Sequence, residues 1–187
     1  KDYNNNTPYN PVEGAIVKLN DSKGNTETLN LASSGAYESV NIKGEQGVDY
    51  KLTIELDGNT YTSETKMPSS VPNEENYYRF IVNYNRKEMP TILLQDDEKR
   101  DGRAIERLLP FNEGDDSYIE MAANDHFKIE MRCITKEAFD FYMAWDELIN
   151  GQGLANPPSN IKGGALGLFQ AYTTSSIEYT VTADDLR

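Results

Sequence analysis

The side chains best suited to nucleophilic or acid–base chemistry are the single histidine and the single cysteine, His126 and Cys133. Asp125 precedes His126, and an aspartate that holds an imidazole can produce a general base. However, residues 126–133 alternate polar and apolar side chains like a strand with one wet face, so His126 and Asp125 point to opposite faces. We therefore expect His126 to face solvent in a structural role. Cys133 falls on the apolar face and is predicted to be a buried core thiol.

An acidic run that begins at Asp96 is reminiscent of a calcium loop. A calcium loop counted from Asp97 would place Lys99 at the second ligand position and Leu108 where a bidentate glutamate belongs. The preferred interpretation is a solvated turn of mixed charge. The alternative is a different cation site that uses Asp96, Asp97 and Asp115.

Residues 163–167, Gly-Gly-Ala-Leu-Gly, lack the Lys-Ser/Thr pair and the strand-to-helix setting of a phosphate loop. We expect these glycines to permit an unusual turn or a close backbone contact. The sequence contains no Gly-x-Ser-x-Gly, His-Glu-x-x-His or Cys-x-x-Cys motif. We therefore predict a chain that is not an enzyme and that uses neither a cofactor nor a metal.

Composition limits the classes of partner. The 187 residues carry 18 basic and 31 acidic side chains, which gives a formal charge of −13. Such a surface repels phosphate backbones and anionic headgroups, so we set aside nucleic acid and polybasic membrane docking. One cysteine allows no intramolecular disulfide, and no apolar run reaches the roughly 18 residues of a spanning helix. Because the chain begins at Lys1, we expect a processed or trimmed start.

The elements that position these residues are mostly strands. Residues 48–66 alternate apolar and polar side chains around the turn dipeptide Asp57-Gly58, which predicts a β-hairpin. A two-residue turn sets the register. The predicted pairs are Ile54 with Tyr61, Lys51 with Glu64, and Asp49 with Lys66.

The period changes after residue 133. Apolar residues from Ala138 to Ile149 recur at helical spacing and form one stripe, which predicts an amphipathic helix. Thr135 is a suitable N-cap, and Gly151 is placed to end the helix. Residues 165–172 and 176–181 are predicted to be closing strands.

The predicted fold is all-β: an immunoglobulin-like β-sandwich followed by a second β-sandwich or partly open barrel that carries one helix. The predicted boundaries are a flexible leader over residues 1–11, the sandwich over 12–67, a proline-containing linker over 68–76, and the second domain over 77–187 with its helix at 135–150.

The long loop after the helix is the candidate partner-binding segment, because loops of this length in compact domains are commonly functional. Its candidate residues are Gly151, Gln152, Gly153, Asn156, Pro157, Ser159 and Asn160. Tyr77, Tyr78 and Trp145 are candidate aromatic contacts, since large rigid rings with a polar tip suit binding surfaces. The alternative is that Trp145 and Tyr142 fill the core, as their place in the helix stripe favours.

The order of these features resembles the DUF4249 family of Bacteroidetes. In the first half the resemblance rests on Gly14-Ala-Ile-Val-Lys-Leu19, Gly35-Ala-Tyr37 and Gly47-Val-Asp-Tyr-Lys-Leu-Thr-Ile54. In the second half it rests on Asn76-Tyr-Tyr-Arg79, on Ile134 to Tyr142, and on the Asn-Pro, Ser-Asn-Ile, Gly-Gly and Gly-x-Phe string between Asn156 and Phe169.

The resemblance implies an exported lipoprotein of the Gram-negative outer membrane, of a kind often encoded beside TonB-dependent receptors. It implies no catalytic residues, and it implies membrane attachment only through a lipid anchor that this chain lacks. We therefore expect a non-catalytic surface protein that assists TonB-dependent nutrient uptake and contacts an outer-membrane receptor. An adhesion or structural module that binds through exposed edge strands is the alternative, and a hydrolase built from scattered carboxylates is the least favoured class. The sequence identifies no ligand.

Overall fold

A computed structural model describes residues 11–33, 35–69, 75–98, 106 and 119–186. In these residues antiparallel sheets dominate, one helix is present and no sheet closes into a barrel, which confirms an all-β, sandwich-like fold. The strands are β1 (Ile16–Asp21), β2 (Thr26–Thr28), β3 (Asn30–Ser33), β4 (Ala36–Glu38), β5 (Asp49–Leu56), β6 (Asn59–Lys66), β7 (Tyr77–Tyr84), β8 (Lys87–Glu88), β9 (Leu93–Asp96), β10 (His126–Ile134) and β11 (Thr173–Thr180). The helix α1 (Lys136–Ile149) lies between β10 and β11 in the sequence.

The chain divides into two compact units. Unit 1 contains β1 to β6 together with Thr135–Tyr172, and unit 2 contains β7 to β10 together with β11. Residues 135–172 were predicted to belong to the second domain, whereas the structure groups them with the first unit. Backbone pairing between this segment and β6 accounts for the difference. Residues 1–10 of the predicted leader and residues 70–74 of the predicted linker lie outside the described residues.

Unit 1 is built on a four-stranded antiparallel sheet with the order β2-β1-β5-β6, and β3 and β4 form a separate pair. The predicted β5–β6 hairpin is confirmed in its register: Ile54 lies opposite Tyr61, Lys51 opposite Glu64, and Asp49 opposite Lys66. Its turn places two consecutive residues, Asp57 and Gly58, at positive φ angles of 48° and 76°. A turn of this type matches the right-handed twist of the two strands that it joins.

A buried carboxylate organises the turn after β4. Glu27 is 8% exposed, and its oxygens accept hydrogen bonds from the Ser39 hydroxyl at 2.6 Å and from the backbone N–H groups of Val40 and Ile42 at 2.7 and 2.8 Å. The Ser39 hydroxyl, followed by these backbone donors, lowers the pKa of Glu27 to about 2. The ionised side chain therefore holds residues 39–42 against β2.

Unit 2 is a five-stranded antiparallel sheet with the order β11-β10-β7-β8, in which β9 pairs with β7. Its core is a cluster of buried side chains from strands β7, β9 and β10 and from the residues just after β8 and β11. These residues are Val82, Met89, Leu93, Phe127 and Val181, with Phe80, Tyr84 and Ile119 packed against them. The central strand β10 pairs with both neighbours along its whole length and thereby connects the sheet.

Strand β10 follows the predicted alternation only in part, because Glu130 and Arg132 on the predicted wet face have side chains only 23% and 22% exposed. Cys133 is 7% exposed, which confirms the core thiol, and the His126 side chain is 41% exposed on the polar face. Met131 differs from the pattern, because it lies on the apolar face yet is 36% exposed. Within the described part of the chain, Met131 is therefore only partly covered.

The predicted strand over residues 165–172 is wrong, and β11 begins at Thr173 rather than at residue 176. The backbone of this segment bonds to side chains of the preceding loop instead of to a neighbouring strand, as set out below. None of the helices in the described part of the chain has the length and apolar character required to cross a bilayer.

Candidate functional site

Helix α1 leads into the candidate loop and has the predicted ends. The Thr135 hydroxyl accepts a hydrogen bond from the Ala138 N–H at 3.3 Å, so Thr135 is the N-cap, and Asn150 is the C-cap. Gly151 follows with φ of 71°, a conformation that favours glycine and ends the helix. The apolar stripe is buried at four positions, which are Ala138, Phe141, Tyr142 and Leu148. This packing fixes the direction in which the chain leaves the helix.

Residues 151–156, here named the tip loop, are tied down at their first end. The N–H groups of Gln152 and Gly153 both donate to the Glu147 carbonyl at 2.8 Å. These bonds satisfy an acceptor that the helix end would otherwise leave open. Beyond them Leu154 is 103% exposed, and Asn156 is exposed as well. The tip loop therefore presents an apolar side chain to solvent from an ordered helix end.

The second end of the tip loop is fixed by burial. Pro157 is among the most completely buried side chains in the described residues. The Ser159 hydroxyl lies between two strips of backbone: it is 2.9 Å from the Gly167 carbonyl and accepts from the Ile161 and Gly167 N–H groups at 3.2 Å. Ser159 thus holds the loop closed on itself.

Asn160 connects the loop to residue 169 in the manner of a strand. Its side-chain amide donates to the Phe169 carbonyl at 2.6 Å and accepts from the Phe169 N–H at 2.9 Å. Its carbonyl accepts from the Ser63 hydroxyl at 2.8 Å, and Ser63 is 2% exposed on β6. The Asn160 side chain therefore forms the backbone hydrogen bonds that a neighbouring strand would have formed if residues 165–172 were a strand.

The loop also pairs directly with β6. Thr62 and Lys162 exchange backbone hydrogen bonds of 3.1 and 2.7 Å. Next to this pair, a Cβ atom added to Gly163 would lie 2.6 Å from the Thr60 carbonyl oxygen, and Gly163 has φ of 106°. The expectation is confirmed: Gly163 makes a close backbone contact, and the positive φ angles of Gly163 and Gly164 form an unusual turn. Residues 157–170 thus form a rigid base for the tip loop.

The candidate aromatic contacts lie in different units. Tyr77 is buried in unit 2, where the adjacent Tyr78 donates its hydroxyl to Asp97 at 3.3 Å. Trp145 lies in unit 1, half-buried, with its ring edge-on to Phe141 at 5.6 Å. The burial of Tyr142 and the packing of Trp145 on Phe141 support the core-filling interpretation for these two residues, and the burial of Tyr77 makes it a poor surface contact.

The candidates for chemistry are not brought together. His126 and Cys133 are seven residues apart on one strand, so about 23 Å separates them at 3.3 Å per residue. Burial, assisted by the negative charge of Asp97, raises the pKa of the Cys133 thiol and thus disfavours the thiolate. The nearest charged partner of His126 is Glu178, at 3.6 Å across the β10–β11 pair.

The acidic run does not assemble a cation site in the described residues, where no group of three or more His, Cys, Asp or Glu side chains could hold a metal. Asp97 is 7% exposed and accepts from the Asn76 N–H at 2.6 Å, which makes it a structural anchor. Lys99, Leu108 and Asp115 lie outside the described residues.

Three important residues were missed by the sequence analysis. Leu154 lay inside the candidate loop but was not selected, although a lone leucine among Gly, Ala and Asn is a usable signal. Ser63 gave only the weak signal of a small polar residue on an apolar strand face. Glu27 gave none, because its partners lie 12 to 15 residues further along the chain.

Comparison with known proteins bears on the family but not on a ligand. A family model described as a domain of unknown function, DUF4249, matches residues 68–178, which is more than half of the chain. No curated protein and no solved structure matches the chain. The matched region includes α1, the tip loop and its base. The chain therefore belongs to the DUF4249 family.

Proposed function

We propose that this chain is a non-catalytic, surface-exposed lipoprotein domain that assists TonB-dependent nutrient uptake, and that its tip loop contacts an outer-membrane receptor. The observation that carries the proposal is Leu154, which is 103% exposed between two fixed ends of the loop. The choice of an outer-membrane receptor as the partner comes from the resemblance to exported lipoproteins encoded beside such receptors.

A preorganised loop supports binding for an energetic reason. Association costs free energy when loops and side chains are ordered, and a loop that is already held loses less. Glu147 holds one end of the tip loop through two backbone bonds, and the buried Pro157 holds the other. Leu154 can therefore enter an apolar pocket on a partner at little cost in ordering.

Charge adds a constraint on the partner. The chain carries −13, so a receptor surface with basic residues around an apolar pocket is favoured over an acidic one. Such complementarity mainly raises the association rate and is screened by salt. Capture should therefore weaken at high ionic strength without disappearing.

The proposal is tested by a pull-down from solubilised outer membranes of the source bacterium, with the purified chain as bait. We expect wild-type chain to recover a TonB-dependent receptor and Leu154→Ser to recover about tenfold less, as loss of a buried apolar anchor predicts. Leu31→Ser is the matched control, because Leu31 is also an exposed leucine, at 44%, on β3 of the same unit.

Each outcome of this pull-down supports a different conclusion. Equal recovery by Leu154→Ser and Leu31→Ser would place the binding surface outside the tip loop. If neither wild type nor variants recover a receptor, the uptake function is wrong. Both variants should keep the wild-type Tm, since both side chains are exposed in the folded chain.

The second candidate function is an adhesion or structural module of a surface assembly. The observation that favours it is the edge strand β11, all of whose residues after Thr173 are exposed. In the same pull-down, recovery of fibrous or filament-forming surface proteins in place of a receptor would support this function.

A further inference from the structure

Strand β11 is a long, exposed edge of the unit 2 sheet. It runs over eight residues, and within the described residues only β10 pairs with it. Ile177 is 66% exposed and Tyr179 is 50% exposed on the face that β10 shares through Phe127 and Ile129. The edge therefore offers both backbone groups and apolar side chains to another strand.

Within the described residues the edge lacks most of the devices that usually prevent pairing, and its one charged side chain is Glu178. Proteins protect edge strands with lysine, proline, bulges or a covering segment. Strand β11 contains neither lysine nor proline, and its register with β10 is continuous over eight residue pairs. By contrast β6, another eight-residue edge strand, is paired on its outer side through Thr62 with Lys162.

The backbone groups that point away from β10 can be assigned. Val181, just beyond β11, donates to the Asp125 carbonyl and accepts from the Asn124 N–H, both at 2.8 Å, so its backbone faces β10. Successive residues of a strand direct their backbone groups to alternate sides. The N–H and C=O groups that face outward therefore belong to Thr174, Ser176, Glu178 and Thr180.

We propose that β11 pairs with β11 of a second copy of this chain, antiparallel and about a two-fold axis at Ile177. In this register the outward-facing Ser176 and Glu178 of one copy exchange backbone hydrogen bonds with Glu178 and Ser176 of the other. Ile177 lies opposite its own symmetry mate, and Tyr179 lies opposite Ser175. Two exposed isoleucines thereby become neighbours, and two five-stranded sheets become one.

Negative charge limits the strength of the proposed β11–β11 pairing. Glu178 meets a serine rather than another carboxylate, which avoids like charges directly opposite each other. The two copies of Glu178 are diagonal neighbours at about 7–8 Å, and each chain carries −13. Repulsion therefore limits the association, and salt that screens it should strengthen the dimer.

Sedimentation equilibrium of the purified 187-residue chain tests the proposal. We expect a monomer–dimer equilibrium whose dimer fraction rises with added salt. Ile177→Lys should raise the dimer dissociation constant about tenfold or more, because it places like charges opposite each other at the axis. Val40→Lys is the matched control, since Val40 is 67% exposed in unit 1 and receives the same charge change.

A cross-link tests the register. Ile177 pairs with its mate at a position without direct hydrogen bonds, where Cα atoms lie about 4.5 Å apart, within disulfide range. Ile177→Cys in a Cys133→Ser background should form a covalent dimer on mild oxidation. Val40→Cys in the same background should remain monomeric.

Four results would overturn the proposal. The first three are a chain that stays monomeric at millimolar concentration in high salt, equal effects of Ile177→Lys and Val40→Lys, and equal cross-linking at residues 177 and 40. Capture of another protein's strand by β11 in place of a second copy would also overturn it. The proposal does not rest on receptor binding, because none of the observations that support it involves the tip loop.

Discussion

At the scale of single residues, Glu27 shows how one carboxylate can fix a turn through several donors. Its folded pKa of about 2 lies below the ordinary value of 4.5, so ionisation favours the folded state. Because the pKa of Glu27 is lower in the folded chain, the stabilisation that ionised Glu27 provides is complete above about pH 4.5 and is lost as pH falls towards 2. None of the donors described for Glu27 is a formal cation, so added salt should alter this dependence little.

We therefore predict that Glu27→Gln lowers the Tm at pH 7 by several degrees and that its difference from wild type narrows as pH falls from 5 to 2. The amide loses the charge-assisted acceptor but keeps the size of the side chain. Thermal unfolding followed by circular dichroism across this range measures the effect. A difference that stays constant with pH would contradict the assignment.

Cys133 and His126 differ in burial, and their substitution should show it. Cys133→Ser should lower the free energy of unfolding by about 1 kcal/mol, because it buries a hydroxyl. His126→Ala should lower it by at most a few tenths of a kcal/mol. Urea denaturation of both variants provides the comparison. Rapid thiol labelling of the native chain would contradict the buried, raised-pKa thiol.

At the scale of elements, the base of the tip loop depends on its fit against β6. Gly163→Ala should destabilise unit 1, because the new Cβ would lie 2.6 Å from the Thr60 carbonyl oxygen. Gly164→Ala is the matched control: its φ is 89°, but a Cβ there meets nothing within 4 Å. Both variants carry the strain of positive φ, about 1–2 kcal/mol.

The overlap at Gly163 adds about 1–3 kcal/mol, so Gly163→Ala should unfold at a clearly lower urea concentration than Gly164→Ala. Equal midpoints would show that the loop does not rest tightly on β6. A deletion intended to remove only the tip loop must keep Pro157 and Ser159, because both residues hold the base in place.

Elements with local signals were predictable from the sequence. The Asp57-Gly58 turn set the β5–β6 register, and Thr135 and Gly151 bounded the helix, because each signal lies within a few residues of its effect. The base was not predictable. Asn160 bonds to Phe169 and Ser63 to Asn160, and hydrophobic periodicity carries no information on such polar contacts over 9 and 97 residues.

At the scale of the whole molecule, the grouping of residues 135–172 with β1 to β6 changes the domain organisation. The chain enters unit 1, forms unit 2, returns to unit 1 and ends in unit 2 with β11. Linker composition and hydrophobic patterns predict only contiguous domains. The long-range pairing of Thr62 with Lys162 therefore could not be predicted from the sequence. The sequence correctly predicted an irregular segment over residues 151–164, but its division into an exposed tip and a fixed base required the structure.

The central claim is that the tip loop contacts an outer-membrane receptor, and photo-cross-linking tests it most directly. A benzophenone amino acid would replace Leu154 in one sample and Leu31 in the other, and each chain would be irradiated with native outer membranes. We predict a covalent adduct between residue 154 and a TonB-dependent receptor, and none from residue 31. Equal adducts from both positions, or none from residue 154, would contradict the claim.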